Sequence, residues 1–254
     1  LRHNLNIITK KINSTLIFYD KDIEINIEEL FSSNAFHTHE KKNVEWINSN
    51  KWVKKHYFRK GMMSFLNDKY LYRDLKNTRS YREFEILNYL YKHGFNTCKP
   101  IIGWVTYSGA IYRANLVTET IQARTLKHLL DLLATGLGVV PMDTFNSHFV
   151  KHERPALFKK IGIYVAEMHK LNVFHGDLNV NNIMVSGERN KNERVEQKIW
   201  IIDFDKSKKI PFALEEPKRV SNIDRFERSL RKTHHFDHTS FMAFLEGYQS
   251  RIKD

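Results

Sequence analysis

Two short apolar runs with polar residues at their ends constrain the fold of this chain more than any other sequence feature. The runs are Ile183–Val185 and Ile199–Ile202, and the polar, charged residues Ser186 to Lys198 join them. Short apolar runs separated by a polar stretch predict the two strands of a hairpin. Asn182 directly precedes the first run, and Asp203 directly follows the second. A hairpin would bring Asn182 and Asp203 close together, although 20 residues separate them.

A third polar residue, Asp177, lies five positions before Asn182 in the segment FHGDLNVNNIMV (174–185). Phosphoryl transfer requires this set of side chains. A carboxylate near the attacking hydroxyl orients it and accepts its proton, while an Asn oxygen and a second carboxylate hold Mg²⁺ on the phosphates. Magnesium is a hard ion that prefers oxygen ligands. We therefore predict that Asp177 is the catalytic residue and that Asn182 and Asp203 are the metal ligands.

The rest of the sequence predicts an α+β chain with two lobes. The main predicted elements are a strand over Lys51–Phe58, a helix over Arg79–His93, a linking strand over Leu116–Ile121 and a helix over Pro155–Leu171. Alternation identifies the strands, and apolar residues at helical spacing identify the helices. We expect a sheet-containing N-lobe over residues 1–120 and a mainly helical C-lobe over residues 121–254. A cleft between two lobes is a usual ligand site.

Composition narrows the class of protein. Of the 254 residues 41% are hydrophobic, which is enough for a packed core and excludes a disordered tail. The single cysteine cannot form an internal disulfide, so we expect a reducing compartment. We find neither an apolar run of about 18 residues nor a signal-peptide pattern, so we expect a soluble, intracellular protein.

The net charge of +12 is concentrated in one segment. Residues 51–82 carry ten basic and two acidic side chains, which is +8 of the total. Apolar and aromatic residues such as Met62, Phe65 and Tyr70 lie between the basic ones. Two interpretations remain open: a plain solvated basic face, or a surface for a membrane or an amphiphilic anionic ligand.

The motifs at 174–185 and 199–205 resemble the catalytic and metal loops of the protein-kinase-like superfamily, whose patterns are H-R-D-x-x-x-x-N and D-F-G. The matching residues are His175, Asp177, Asn182, Asp203 and Phe204. Gly176 replaces the arginine of the first pattern, and Asp205 replaces the glycine of the second. The resemblance implies a bilobal protein-kinase-like fold with a reduced C-lobe. It also implies ATP and Mg²⁺ as ligands.

In that superfamily a lysine on an N-lobe strand contacts the ATP phosphates and pairs with a helix glutamate. Lys55 and Lys54 are candidates, and we favour Lys55 because it shares its strand face with a valine and a tyrosine. Glu83 is our candidate glutamate, since it borders the apolar face of its helix. The alternative explanation of Glu83 is a capping box with Ser80.

Two further features concern the nucleotide. By the same resemblance, Glu119 and Ile121 flank the linker, where a backbone C=O and N–H could bind adenine. The superfamily covers the phosphates with a glycine-rich loop, but residues 1–60 contain no glycine. Another turn, near Ser32 to Ala35, is our candidate for that cover.

The length of the C-terminal segment indicates the class of acceptor. Only 49 residues follow Asp205, and they contain no A-P-E motif or long activation segment. A protein kinase needs both, together with a large helical region that binds the peptide. We therefore expect a small molecule or a lipid as the acceptor.

Several segments are similar to the bacterial lipopolysaccharide kinase family, over about residues 50–232. They are KWVKKHYFRKG (51–61), TRSYREFEILNYLYKHG (78–94), IYRANLVTETI (111–121), FHGDLNVNNIMV (174–185), IWIIDFDKSK (199–208) and RSLRK (228–232). The family usually has R-G-G where this chain has Arg59-Lys60-Gly61, and an alanine where it has Gly176. Both positions are departures from the family pattern.

This resemblance implies ATP-dependent phosphorylation of a hydroxyl of 3-deoxy-D-manno-octulosonic acid (Kdo) on Kdo-lipid A precursor. It also implies a peripheral enzyme at the cytoplasmic face of the bacterial inner membrane. An anionic glycolipid suits the basic segment, and nucleic acid becomes a less favoured partner. The alternatives are an aminoglycoside-type small-molecule kinase, a small atypical protein kinase in an RNA-linked complex, and a pseudokinase scaffold that binds anions.

Overall fold

The computed structural model describes residues 6–23, 26, 43–59, 67–135, 139–142, 147–150, 153–189 and 195–253. The chain divides into two compact units. The first unit comprises Leu1–Lys92 and Cys98–Thr120, and the second comprises His93–Thr97 and Ile121–Asp254. Five residues of the predicted N-lobe, His93–Thr97, therefore belong to the second unit. Three features of the sequence analysis lie outside the described residues: the turn at Ser32 to Ala35, Gly61, and the apolar residues Met62, Met63, Phe65 and Leu66.

The first unit contains an antiparallel sheet. Its strands are β1 (Ile7–Ile12), β2 (Thr15–Asp20), β3 (Val44–Ile47), β4 (Trp52–His56), β5 (Tyr70–Leu71), β6 (Pro100–Ser108) and β7 (Ile111–Glu119). The strand order is β1-β2-β6-β7-β4-β3, and β5 pairs with β7 beyond the end of β4. The strand predicted at Leu116–Ile121 begins five residues earlier, because β6 pairs along the whole length of β7. The strand predicted at Lys51–Phe58 is shorter at both ends.

Helix α1 (Arg79–Lys92) packs on the sheet through aromatic side chains. Phe84 and Phe18 are fully buried, and their rings meet edge to face at 5.4 Å. The ring of Phe18 lies over Gly103 on the neighbouring strand, where a Cβ atom would be only 2.2 Å from the ring. Each fully buried ring contributes about 1.5–3 kcal/mol to stability. This packing fixes the face of α1 that carries Glu83.

The second unit contains four of the five α-helices in the described part of the chain. Its elements are β8 (Arg124–Thr125), α2 (Leu126–Ala134), β9 (Val139–Met142), β10 (Ser147–Val150), α3 (Arg154–Lys170), β11 (Val173–Phe174), β12 (Ile183–Arg189), β13 (Val195–Ile201), β14 (Lys208–Lys209), α4 (Glu216–Lys232) and α5 (His238–Ile252). Strands β13, β12 and β8 form one small sheet. Strand β9 pairs with β10, and β11 pairs with β14.

Helices α3 and α5 approach each other closely at two glycines. A Cβ atom on Gly162 would lie 2.0 Å from the carbonyl oxygen of Phe244, and one on Gly247 would lie 2.1 Å from that of Lys159. Any larger residue at either glycine would separate the helices. The ring of Phe226 on α4 packs 5.1 Å from that of Phe244, so all three helices share one core.

The hairpin β12–β13 is longer than the sequence predicted. The segment Ser186 to Lys198, which we expected to be a loop, contributes ladder residues at both ends. Residues 186–189 pair with residues 195–198 in the same register as the apolar pairs, so the two strands continue into the polar segment. Within the described ranges, no helix is both long and apolar enough to cross a membrane.

Candidate active site

The hairpin places Asn182 and Asp203 at the same end of its two strands. Ile183 pairs with Ile201, and the amide of Ile202 donates to the carbonyl of Asn182 at 3.0 Å. Asp203 is exposed and has a φ of 61°, a left-handed conformation that is uncommon for a residue other than glycine. Strained backbone of this kind is concentrated at functional sites. The hairpin thus has the geometry that the spacing of the two residues predicted.

The loop before β12 is held together by its own amide side chains. Asn182 Nδ2 and Asn179 Nδ2 both donate to the carbonyl of Asp177 at 2.8 Å. The amide of Asn182 also donates to the carbonyl of Asn179 at 3.0 Å. The side-chain amide of Asn182 is therefore fixed, with its Oδ1 directed away from the Asp177 carbonyl.

His175 lies buried beneath this loop as a neutral imidazole. The amide of Asp177 donates to His175 Nδ1 at 3.1 Å, so the ring proton is on Nε2, which donates to the carbonyl of Ile202 at 3.0 Å. Burial lowers the pKa of His175, which favours this neutral form. Its ring packs against that of Phe204 at 4.7 Å. His175 thus connects the loop of Asp177 to the segment of Asp203.

Gly176 permits a close contact between these two segments. A Cβ atom on Gly176 would lie 2.0 Å from the carbonyl oxygen of Lys206. Its amide donates to Ser207 Oγ at 3.3 Å. The departure from the family's alanine therefore accompanies an approach of Lys206 that an alanine would block.

The carboxylate of Asp177 faces two cationic side chains. Lys206 Nζ lies 3.3 Å from Oδ2, and Arg225 Nη1 lies 3.7 Å from Oδ1. The side chains of Asp177, Lys206 and Arg225 are 35%, 64% and 41% exposed. Because all three are open to solvent, a hydroxyl-bearing ligand can reach the carboxylate.

Helix α4 contacts the Asp177 loop along one face, which sequence reasoning missed. Asn222, Arg225 and Ser229 lie on that face at helical spacing. Asn222 bonds the backbone of His175, Arg225 contacts Asp177, and Ser229 Oγ accepts the amide of Val180 at 3.2 Å. In the sequence, only the helical spacing of these three residues could have indicated this face, because the segment otherwise has the pattern of a basic helix.

A buried chain of hydrogen bonds supports Asn222. Asn222 Nδ2 donates to the carbonyl of His175, so its Oδ1 is the acceptor for His169 Nε2 at 3.1 Å. His169 Nδ1 then accepts the hydroxyl of Tyr248 at 2.9 Å. Burial lowers the pKa of His169 to about 4 and raises the pKa of Tyr248 to about 12. The chain therefore consists of neutral groups at physiological pH.

In the first unit, Lys55 and Glu83 form an ion pair. Lys55 Nζ lies 2.8 Å and 3.0 Å from the two carboxylate oxygens of Glu83. The carboxylate is 3% exposed, and it also accepts the hydroxyl of Tyr57. The side chain of Lys55 remains 22% exposed, so it is accessible to a ligand. The pairing of these two residues is thus as predicted.

The alternatives to this pair do not fit the structure. The Lys54 side chain is buried with its Nζ over the ring of Trp104. Ser80 is the second residue of α1 rather than a residue before it, and its hydroxyl has no hydrogen-bond partner among the described residues. The capping-box interpretation of Glu83 is therefore wrong.

Glu119 and Ile121, the predicted adenine-binding residues, lie on either side of the boundary between the two units. Glu119 is the last residue of β7, and its amide donates to the carbonyl of Lys99 at 2.9 Å. Ile121 begins the long segment of the second unit, and its carbonyl accepts a hydrogen bond from the amide of Ala123.

Burial, reinforced by the negative charge of Glu83, raises the pKa of Cys98 to about 12. The Cys98 thiol is therefore not a nucleophile at neutral pH.

Asn182 and Asp203 fit a magnesium ion by donor type. The fixed amide of Asn182 and the exposed carboxylate of Asp203 both offer oxygen atoms. In the described part of the chain, no group of three or more His, Cys, Asp or Glu side chains could hold a metal ion. The remaining ligands of a magnesium ion here would have to be phosphate oxygens and water, as is usual for this ion.

Comparisons with known proteins agree with these observations. The model of the lipopolysaccharide kinase (Kdo/WaaP) family matches residues 33–248. A 3-deoxy-D-manno-octulosonic acid kinase of Vibrio vulnificus (strain YJ016) is 34% identical over 205 residues, 78% of this chain and 74% of the relative. One from Haemophilus influenzae (strain PittGG) is 33% identical over 183 residues, 70% and 65% of the two chains.

A solved structure described as WaaP in complex with acyl carrier protein shares the fold. It has a TM-score of 0.56 at 13% identity, and the match covers 84% of this chain and 77% of that one. The predicted α+β, protein-kinase-like fold is therefore confirmed. With the match to the family model over most of its length, the chain belongs to the lipopolysaccharide kinase (Kdo/WaaP) family.

Proposed function

We propose that this chain transfers the γ-phosphoryl group of ATP to a hydroxyl of Kdo on Kdo-lipid A precursor. As a lipopolysaccharide kinase the chain is a phosphotransferase of lipopolysaccharide biosynthesis. The similarity to 3-deoxy-D-manno-octulosonic acid kinases supports Kdo as the acceptor sugar. The arrangement of Asp177, Asn182 and Asp203 around one hairpin is the observation that carries the proposal.

Asp177 is the catalytic residue in this proposal. Its carboxylate is partly exposed, so it can accept a hydrogen bond from the acceptor hydroxyl and take its proton as phosphate is transferred. The amide bonds from Asn179 and Asn182 to the Asp177 carbonyl fix the backbone that carries this carboxylate. A fixed carboxylate lowers the barrier because the hydroxyl is already oriented when the substrates meet.

The phosphates are held by separate groups in the proposal. Asn182 and Asp203 would hold Mg²⁺, which neutralises charge that develops on the phosphate oxygens. Lys55 would bind the α- and β-phosphates, and Glu83 would keep its ammonium group in place. The backbone groups of Glu119 and Ile121 would bind adenine.

We further propose that the enzyme acts as a peripheral protein at the cytoplasmic face of the inner membrane. In the described part of the basic segment, Lys69, Arg73 and Lys76 are exposed. Leu71 and Ile111 form an exposed apolar cross-strand pair in the same region. Cations beside exposed apolar groups suit an anionic lipid surface better than nucleic acid.

A direct test is an acceptor screen with radiolabelled ATP and Mg²⁺. Purified protein should label Kdo-containing lipid A precursor, and should not label the same precursor without Kdo. An aminoglycoside, a mixed peptide library and a transfer RNA-linked protein fraction serve as alternative acceptors. Robust labelling of one of these without labelling of the glycolipid would reject the proposal.

A further inference from the structure

The guanidinium of Arg225 has unused hydrogen-bonding capacity beside the catalytic carboxylate. Its ion pair with Asp177 Oδ1 is 3.7 Å long, which exceeds hydrogen-bond distance. Its Nε is shielded from solvent and has no hydrogen-bond partner among the described residues. An arginine offers five N–H donors in a rigid plane, so most of this capacity remains for a ligand.

Other arginines in the described part of the chain differ in this respect. Arg113, Arg154 and Arg251 also have a buried Nε without a hydrogen bond. Each of these three nevertheless contacts a protein oxygen within 3.3 Å through its guanidinium. Among these four arginines of the described residues, Arg225 is the one whose guanidinium has no protein oxygen nearer than the 3.7 Å contact with Asp177.

Lys206 supplies a second positive charge on the other side of Asp177. Its Nζ lies 3.3 Å from Oδ2, whereas Arg225 approaches Oδ1. Two cations thus flank a single carboxylate. A second anion that arrives next to Asp177 would find opposite charge on both sides, which would offset its repulsion by the catalytic carboxylate.

The position of Arg225 is fixed by its neighbours on α4. Asn222 and Ser229, one turn before and one turn after it, are bonded to the backbone of His175 and Val180. The helix is therefore anchored to the catalytic loop at both flanks of Arg225. The guanidinium is still 41% exposed, so the fold holds it in place without covering it.

We propose that Arg225, together with Lys206, binds the carboxylate of the acceptor sugar and so positions its hydroxyl at Asp177. The inference rests on the proposed function, because Kdo is a sugar acid. The planar fork of an arginine matches a carboxylate in a bidentate arrangement. Both cations contact Asp177, the residue that receives the acceptor hydroxyl, so we assign them to the acceptor and not to ATP.

The test compares two acceptors with several enzymes. One acceptor is Kdo-lipid A precursor, and the other is the same compound with the Kdo carboxylate converted to a neutral methylamide. For Arg225→Gln we expect kcat/KM to fall about 10- to 100-fold with the carboxylate acceptor, the effect of losing a charged hydrogen bond. With the methylamide, the variant and the wild type should differ less than about threefold, and the KM for ATP should stay unchanged.

Three further variants strengthen this design. Arg225→Lys keeps the charge but loses the planar fork of the guanidinium. Its ratio of kcat/KM for the carboxylate acceptor to kcat/KM for the methylamide should therefore lie between the ratios of the wild type and Arg225→Gln. Arg228→Gln is the matched control, because Arg228 is exposed on the same helix three residues away. Lys206→Gln should behave like Arg225→Gln with a smaller loss, since its ammonium group is a mobile point charge.

The outcomes separate the inference from the proposed function. If the wild type labels the Kdo acceptor but Arg225→Gln loses the same factor with both acceptors, the carboxylate assignment is wrong. A raised KM for ATP would assign Arg225 to the phosphates and would also overturn it. If the wild type fails to label any Kdo acceptor, the proposed function itself is wrong. Thermal unfolding of each variant excludes misfolding as the cause of a loss.

Discussion

Asn222 binds both backbone polar groups of His175. Its Oδ1 accepts the His175 amide at 3.0 Å, and its Nδ2 donates to the His175 carbonyl at 2.7 Å. The two residues are 47 positions apart in the sequence, and both are fully buried. Helix α4 is therefore part of the scaffold that holds Asp177, and the C-terminal part of the chain contributes to the proposed active site.

Replacing Asp177 by Asn should remove the proton acceptor and leave the loop intact. The bonds from Asn179 and Asn182 go to the Asp177 backbone carbonyl, which the substitution keeps. We expect kcat to fall at least about 10²-fold, as is typical for loss of a positioned base. Steady-state kinetics with the glycolipid acceptor and ATP measure this change.

The control for this prediction is Asp224→Asn. Asp224 is exposed on α4 next to Arg225 and has no ion pair among the described residues. This variant should retain kcat within about twofold, which would show that the loss of any nearby carboxylate does not by itself lower kcat. Near-normal turnover by the Asp177 variant would contradict its catalytic role.

The pair formed by Lys55 and Glu83 should act as a unit in ATP binding. Lys55→Met removes the cation, and we expect kcat/KM for ATP to fall about 10²-fold or more. Glu83→Gln keeps a side chain of the same size beside Tyr57 but no longer holds the ammonium group by charge, so its loss should be smaller. Glu85→Gln, on the exposed face of the same helix, should have no effect.

The double variant Lys55→Met with Glu83→Gln distinguishes a unit from two independent residues. If Glu83 acts only through Lys55, the double variant should be no worse than Lys55→Met alone. Losses that multiply in the double variant would show that Glu83 has a separate role.

Local sequence rules predicted much of the site. The spacing of Asn182 and Asp203 around two apolar runs was enough to place them at one end of a hairpin. Strand alternation distinguished Lys55 from Lys54, because it places Lys55 on the face of Val53 and Tyr57 and places Lys54 on the opposite face. The apolar periodicity of α1 likewise placed Glu83 at the border of the apolar face, and Glu83 is buried in the structure.

Contacts between distant segments could not be predicted in this way. The bonds from Asn222 and Ser229 to the catalytic loop depend on how α4 packs, and no local pattern encodes that packing. The extra length of β12 and β13 was missed because most of their outer residues are polar, so these positions lack the apolar pattern that identifies a strand. The approach of Lys206 to Gly176 is visible only in three dimensions.

Gly176→Ala should disturb the site, although alanine is the usual residue of the family at this position. The added Cβ atom would lie 2.0 Å from the Lys206 carbonyl oxygen, so the backbone of one segment must move. We expect the free energy of unfolding to fall by about 1–3 kcal/mol. We also expect kcat to fall about tenfold or more, because Asp177 is the next residue and its carboxylate would be misplaced.

Gly109→Ala is the matched control for this glycine. Gly109 has a φ of 57° and no atom within 4 Å of a Cβ position, so the substitution adds backbone strain without a clash. It should cost about 1 kcal/mol of stability and leave kcat unchanged. Full activity and stability of the Gly176 variant would contradict the prediction, because the backbone at Lys206 could then move away from the added Cβ atom without loss of stability or activity.

Acid should destabilise the protein through His169, whose folded-state pKa is about 4. Its ordinary value in an unfolded chain is about 6.5, and burial is the main cause of the depression. Between pH 6.5 and pH 4 the unfolded chain therefore binds a proton that the folded chain does not bind. The stabilisation is fully present above pH 6.5 and is lost as the pH falls through this window.

The measurement is urea unfolding of the wild type and His169→Gln at pH 7.5 and pH 5.5. His169 alone should reduce the free energy of unfolding of the wild type by about 1 kcal/mol between these values. Glutamine can replace the hydrogen bonds to Asn222 and Tyr248 but does not titrate. The free energy of unfolding of the variant should therefore fall by about 1 kcal/mol less than that of the wild type over the same pH interval. His175 also has a lowered pKa but is present in both proteins, so the difference between the two proteins reports mainly on His169. Identical pH dependence in the two proteins would show that His169 is not held neutral by the fold.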